Sequence, residues 1–245
     1  LPVFVSNDEQ TRSICSSDMD YVIEKAAKAI DKHSITAKPR RRKNKDSKNY
    51  QTFRKKKEFN NQLDKCYLLL GKAYFYKKKY TMANNTFRFI QRQYAEDEAL
   101  MTEVSIWLFR SLTEMGRYEE AARIMDRLDG STLKRKHREM VAAARTDFYV
   151  RQGMYEQAIP EAERLVRTCK SIKRKPRYNF LLSQLYVKEN QDGAAKLALK
   201  KATRFNFNYE MVFNARIGMA SAYQEGDAAV EKKLKKMLRD SRNEE

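Results

Sequence analysis

Tyr67-Leu68-Leu69-Leu70-Gly71-Lys72-Ala73-Tyr74, followed a short way on by Ala83-Asn84-Asn85-Thr86-Phe87, is the stretch that decides the fold. Tyr67, Leu70, Gly71 and Tyr74 stand at i, i+3, i+4 and i+7, one stripe on one helical face, and the glycine lets a second helix come close. Ala83 lies nine residues after Tyr74, and the interval recurs at Leu112/Ala121, Tyr149/Ala158 and Tyr186/Ala195, with the alanines 38, 37 and 37 residues apart. A period of this length in a helix-compatible sequence marks stacked two-helix units, because one unit alone leaves its apolar face uncovered. Each alanine is expected early in a second helix, at the crossing, where a larger side chain would push the pair apart. Short punctuators separate the helices at Lys79-Tyr80, Gly116-Arg117-Tyr118, Gly153-Met154-Tyr155 and Gln191-Asp192-Gly193. The small position drifts from Gly71 to Phe109, Thr146 and Ser183, so the second hairpin is expected to open or shift register around Phe109 and Trp107. Pro160 is expected to kink the second helix of the third unit or delay its start.

Composition points the same way. With 42% hydrophobic residues but 7 Gly and 4 Pro in 245, the chain has enough apolar surface for a continuous core and too little turn chemistry for an all-β protein. No apolar run approaches the roughly 18 residues of a membrane span and no signal-peptide pattern opens the chain, so it is expected to be soluble as given. Its start at Leu1 and its polar last residues, Asp240 to Glu245, read as a piece of something longer. Cys15, Cys66 and Cys169 lack metal-ligand spacing and are read as idle or buried thiols. His33 and His137 sit in separate charged segments, and no zinc-protease, phosphate-loop or nucleophile-elbow motif is present. Glu119-Glu120 and Glu161 with Glu163 read as solvated charge. No catalysis, no cofactor and no metal is expected.

Four regions follow. Residues 1–33 form an extended lead-in, Leu1 to Ser16, and a flanking helix that Ser17 and Asp20 cap, with Met19, Val22, Ile23, Ala26, Ala27 and Ile30 as its apolar stripe. Residues 34–58 carry eleven Lys or Arg against Asp46 and Glu58 and are read as a flexible basic insertion in which almost nothing is buried. Its patch comprises Arg40, Arg41, Arg42, Lys43, Arg54, Lys55, Lys56 and Lys57. Four hairpins span 59–205, and a degenerate fifth pair with a tail occupies 206–245.

The first copy, Tyr67-x2-Leu70-Gly71-x2-Tyr74 with Ala83-x3-Phe87, resembles the tetratricopeptide (TPR) pattern, with Tyr67 in the Trp position and Ala95 where the closing Pro stands. That resemblance implies an all-α, right-handed α-α superhelix (a solenoid) that binds proteins. It also implies that the first helix of each hairpin lines a concave groove. Counting units from Asp64, Thr102, Glu139 and Pro176 puts Lys65, Leu68, Lys72 and Phe75 there from the first unit, and Glu103, Ile106, Arg110 and Thr113 from the second. Met140, Ala143, Asp147 and Val150 follow from the third, and Arg177, Phe180, Gln184 and Val187 from the fourth. Phe75, Ile106 and Phe180 are expected to take apolar side chains of a peptide, while Lys72 and Arg110 hold a carboxylate or acidic residue.

More specifically, the opening Leu1-Pro2-Val3-Phe4, the helix from Ser17 to Ile30 with His33-Ser34-Ile35, the hairpin from Tyr67 to Ile90, Trp107 to Leu128, and Asn208 to Ala215 are similar to the TPR region of the gliding-motility and type IX secretion lipoproteins (SprE/PorW-like). The resemblance implies a periplasm-facing outer-membrane lipoprotein of the cell envelope, anchored through a cysteine outside this chain, with protein components of a secretion or motility machine as partners. The basic stretch Arg40 to Lys57 is heavier than that family's. With a formal charge of +19 and further clusters at Lys134 to Arg138 and Lys170 to Arg177, it keeps open a second class, a basic helical repeat binding nucleic acid or anionic surfaces.

Overall fold

The computed structural model describes residues 9–37, 50, 53, 56–129, 133–204 and 209–221, together with positions 232, 235, 237 and 239. Among them the chain forms ten α-helices and no strand. They are α1 (Glu9–His33), α2 (Leu63–Tyr76), α3 (Tyr80–Gln93), α4 (Glu98–Glu114), α5 (Tyr118–Asp129), α6 (Arg135–Arg151), α7 (Tyr155–Thr168), α8 (Lys175–Lys188), α9 (Asp192–Ala202) and α10 (Tyr209–Ser221).

The nine-residue interval has a backbone origin. In each of the four hairpins the amide five residues after the stripe residue bonds back to its carbonyl: Lys79 to Tyr74, Arg117 to Leu112, Met154 to Tyr149 and Gln191 to Tyr186, at 2.9, 2.9, 2.9 and 2.8 Å. The alanine amide four residues further on then donates to the carbonyl of that same turn residue, as Ala83 does to Lys79 and Ala121 to Arg117. This is a Schellman closure passing directly into the next helix. It needs a left-handed residue between the two, and Lys78, Gly116, Gly153 and Asn190 supply it with φ of 57°, 71°, 71° and 55°. Asn190 therefore makes the fourth turn, and Gly193 lies inside α9. All four crossing alanines are 0% exposed.

The chain divides into two compact units, Pro2–Phe148 and Tyr149–Glu245. In the first, α1 packs on α2, α2 on α3, α3 on α4 and α4 on α5. A Cβ on Gly71 would stand 2.5 Å from the Phe87 ring, so the glycine is what admits that ring between the helices. Phe75, Phe87 and Trp107 form the aromatic centre, with Trp107 5.3 Å from Phe75 and 6.3 Å from Phe87. Phe109, in the drifted small position, is buried and packs against Phe148 at 5.4 Å, so its bulk is taken up by an aromatic of α6. In the second unit, Ala158, Ile159 and Ala162 of α7 meet Leu182, Leu185 and Tyr186 of α8 and Ala195 and Ala198 of α9. α10 packs on α8 and α9.

Several expectations change. The flanking helix already runs from Glu9, within the stretch read as an extended lead-in, because Glu9 to Ser16 contains no Gly or Pro to stop it. On its stripe Ala26 is buried and Met19, Val22, Ile23 and Ile30 are half-buried, but Ala27 is exposed. α7 runs through Pro160, which is exposed and costs the helix one backbone hydrogen bond without ending it. The fifth hairpin contributes α10; most of Asp227 to Arg239 lies outside the described residues. So do Arg40, Arg41, Arg42, Lys43, Arg54 and Lys55 of the basic patch, whereas Lys56 and Lys57 are described and exposed. The reading that almost nothing in Ser34 to Glu58 is buried fails at Glu58, which is 7% exposed. Its carboxylate accepts from Ser34 Oγ at 2.6 Å and from the amides of Ile35, Phe59 and Asn60 at 2.8, 2.9 and 2.8 Å. Phe59 N–H also donates to Ile35 O, and Asn60 Nδ2 to His33 O. The two ends of the insertion are thus tied together. Cys66 is half-buried, Cys169 is buried, and both are free thiols.

Candidate functional site

Arg110, on α4, lies half-buried beside two aromatic rings, its guanidinium carbon 4.3 Å from the centre of Trp107 and 4.8 Å from that of Phe75. Trp107 is one helical turn earlier on α4, and Phe75 comes from the last turn of α2. The rings' negative faces hold the cation in place.

Beside it, Glu103 of α4 collects cations from both flanking first helices. Its Oε1 accepts from Lys72 Nζ of α2 at 2.6 Å and its Oε2 from Lys136 Nζ of α6 at 3.0 Å, with His137 Nε2 at 3.8 Å from the same oxygen. Lys72 Nζ also stands 5.4 Å from the centre of the Trp107 ring. Burial alone would raise the Glu103 pKa, but the hydrogen bonds from Lys72 and Lys136 outweigh it and hold the carboxyl below its ordinary value. For His137 burial dominates and lowers the pKa, with Lys136 and Lys134 adding to it against the pull of Glu103. Two ammonium groups thus share one carboxylate, and Arg110 stands near them over a buried aromatic floor.

Of the groove residues read from the sequence, the structure brings Lys72, Phe75, Glu103 and Arg110 into one place. Phe75 and Ile106 are 1% and 0% exposed and belong to the floor and core, so neither stands open to take a ligand's side chain. Thr113 is buried too; Lys65 is exposed, and Leu68, Met140, Ala143 and Asp147 are half-buried. In the second unit Phe180 is half-buried on α8, with Arg177, Gln184 and Val187 exposed. Sequence counting passed over Trp107, Lys136 and His137. Trp107 is the single tryptophan, which was a signal; Lys136 was visible only as one charge of the Lys134 to Arg138 cluster, since nothing local ties it to an acid 33 residues away. Among the described residues no group of three His, Cys, Asp or Glu side chains is placed to hold a metal, and no helix is long and apolar enough to cross a membrane.

A family model described as tetratricopeptide repeat matches residues 176–209, which are α8, α9 and the approach to α10. The match begins at Pro176, where the fourth unit was counted to start, and not on the first copy that carried the reading. The chain is similar in structure to that in the "Crystal structure of BtubC (BKLC) from P. vanneervenii", with a TM-score of 0.56, 12% identity, and coverage of 86% of this chain and 83% of that one. The fold is TPR-like. The expected all-α helical-repeat class is therefore shown, and TPR repeats are in general protein-interaction scaffolds. A search of the curated proteins returns no match.

Proposed function

We propose that this chain is a non-catalytic scaffold that captures a segment of a partner protein on the face shared by α2, α4 and α6, and that it serves as a cell-envelope accessory of a secretion or gliding-motility machine. The observation that carries the docking reading is the Arg110 stack on Trp107 and Phe75 beside the Lys72–Glu103–Lys136 bridge. Charged side chains fixed over buried rings lose little freedom on binding, which is how few residues come to dominate an interface. The envelope role rests on the resemblance of the segments around Ser17–Ile30, Tyr67–Ile90 and Trp107–Leu128 to the SprE/PorW-like lipoproteins. Lipid attachment, through a cysteine beyond this chain, belongs to the same proposal.

The test is capture from envelope extract by the parent chain and by a Lys72→Glu/Arg110→Glu double variant, with both also titrated against a random DNA duplex. A protein retained by the parent and lost by the variant supports the scaffold. Retention of the same proteins by both removes the docking site. Duplex binding that is tight at physiological salt, and whose affinity falls with salt at a log-log slope of about −0.9 per phosphate neutralised, would instead support the reading that the +19 charge suggests.

A further inference from the structure

We infer that the loop joining α7 to α8, with the lysine-bearing end of α9 beside it, is a membrane-surface contact that draws anionic phospholipid headgroups and lowers Ile172 among them. The contact lies in the second unit and is independent of the docking face of α2, α4 and α6. The sequence from Arg164 to Lys188 carries eight Lys or Arg and no acid, and that from Gly193 to Tyr209 carries four and none. In a hairpin the end of α9 returns to the start of α8, and a hollow of about 280 Å³ lined by Arg167, Asn179 and Lys201 places the last turn of α7 there too. Lys170, Lys173, Lys175, Lys200 and Lys201 therefore gather at one end of the unit; all are exposed, and none makes an ion pair among the described residues. The acids bounding these stretches do not answer them. Glu163 already accepts from Tyr186 Oη at 2.6 Å and pairs with Arg167 at 3.6 Å, Glu189 and Asp192 sit at the opposite turn, and Glu210 is a single charge at the start of α10. The loop itself is held in shape. Cys169 and Pro176 are buried at its two ends, the Arg174 amide donates to Ser171 Oγ at 3.3 Å, and the Lys175 amide donates to Ser171 O at 2.9 Å. Inside that turn Ile172 is 58% exposed. One exposed apolar residue is ordinary on a surface, but this one is fixed by its backbone among ammonium groups. Water, an acidic protein surface and a nucleic acid backbone all leave its side chain uncovered, whereas a bilayer places phosphates beside acyl chains and accommodates both. Nor is there an exposed aromatic at this end, among the described residues, to stack on bases.

The test is co-sedimentation of the full chain with sucrose-loaded vesicles of equimolar phosphatidylglycerol and phosphatidylcholine, against vesicles of phosphatidylcholine alone, at about 150 mM sodium chloride. The expected result is saturable binding to the mixed vesicles and little to the neutral ones. Lys170→Gln/Lys173→Gln/Lys175→Gln should weaken the affinity about tenfold or more. Ile172→Ser should weaken it about fivefold, and Ile172→Trp should strengthen it, because an indole favours the interface. The control Lys56→Gln/Lys57→Gln/Lys79→Gln removes the same charge from exposed positions of the first unit and should change the affinity less than about twofold. Every substituted side chain is exposed, so the variants should keep the parent melting temperature. Equal losses in the control and the loop variant would show diffuse attraction to a +19 chain and overturn the inference, as would equal binding to neutral vesicles or binding to neither. Vesicle binding that Ile172→Ser leaves unchanged overturns the insertion; if the lysine variant then loses a random DNA duplex as well, the loop is a nucleic acid contact instead. The envelope capture stands or falls separately, since Lys72→Glu/Arg110→Glu leaves this loop intact.

Discussion

At Lys78 the backbone turns through φ 57°, in a position that glycine fills in two of the other hairpins and asparagine in the third. A lysine there carries a Cβ against the following carbonyl, a strain of roughly 1–2 kcal/mol. Lys78→Gly removes it and is expected to stabilise the chain by about 1 kcal/mol, less the added backbone entropy of the unfolded glycine; the midpoint of urea unfolding checks this. Gly71 makes the opposite case. Its missing Cβ is filled by Phe87, the nearest ring atom standing 2.5 Å from where a Cβ would be. Gly71→Ala should therefore cost about 1–3 kcal/mol through overpacking, with no gain from the better helix former because the clash is larger. A variant as stable as the parent in the same unfolding experiment would show that α2 and α3 can separate freely.

Between elements, two carboxylates set the pattern. Glu58 joins His33–Ile35, at the end of α1, to the segment entering α2 by accepting four hydrogen bonds. Although burial works against its ionisation, those donors hold its pKa below the ordinary value. Glu58→Ala takes that acceptor from Ser34, Ile35 and Asn60, while Phe59 N–H keeps Ile35 O; it should cost about 2 kcal/mol and speed hydrogen exchange at the amides of Ile35 and Asn60 ahead of those in α4. Acid should act on the same joints. His137 has a lower pKa folded than unfolded, so the unfolded chain takes the proton first and stability begins to fall as pH drops below about 6.5. Glu58 and Glu103, also depressed, contribute stability that is present above about 4.5 and lost as pH falls through their folded values. Thermal melting between pH 8 and 3 should therefore show a small loss near pH 6 and a larger one below 4.5. His137→Gln should abolish the first step alone.

Over the whole molecule, 51 Lys and Arg face 32 Asp and Glu, and self-repulsion of that excess opposes compactness. The melting temperature should rise on going from 20 to 500 mM sodium chloride, where charges beyond about 4 Å are largely screened. A falling midpoint would mean that pairs such as Lys72–Glu103 outweigh the net charge. The sequence by itself determined the repeat: its phase, the four crossing alanines and the stripe residues whose carbonyls close each turn were all legible, because Schellman closures and helix-face stripes involve residues a few positions apart. It misjudged Gln191-Asp192-Gly193, where asparagine took the left-handed position one residue earlier. Helix identity and crossing points are local facts of this kind. What only the tertiary structure decided was which side chains meet across repeats. Lys136 reaches Glu103, Glu58 gathers both ends of the basic insertion, and Phe75 and Ile106 close into the floor instead of facing a ligand. These outcomes depend on how deeply each helix sinks against its neighbours, which the 37- to 38-residue period fixes only on average and the volumes of Gly71, Phe87, Trp107 and Phe109 settle site by site.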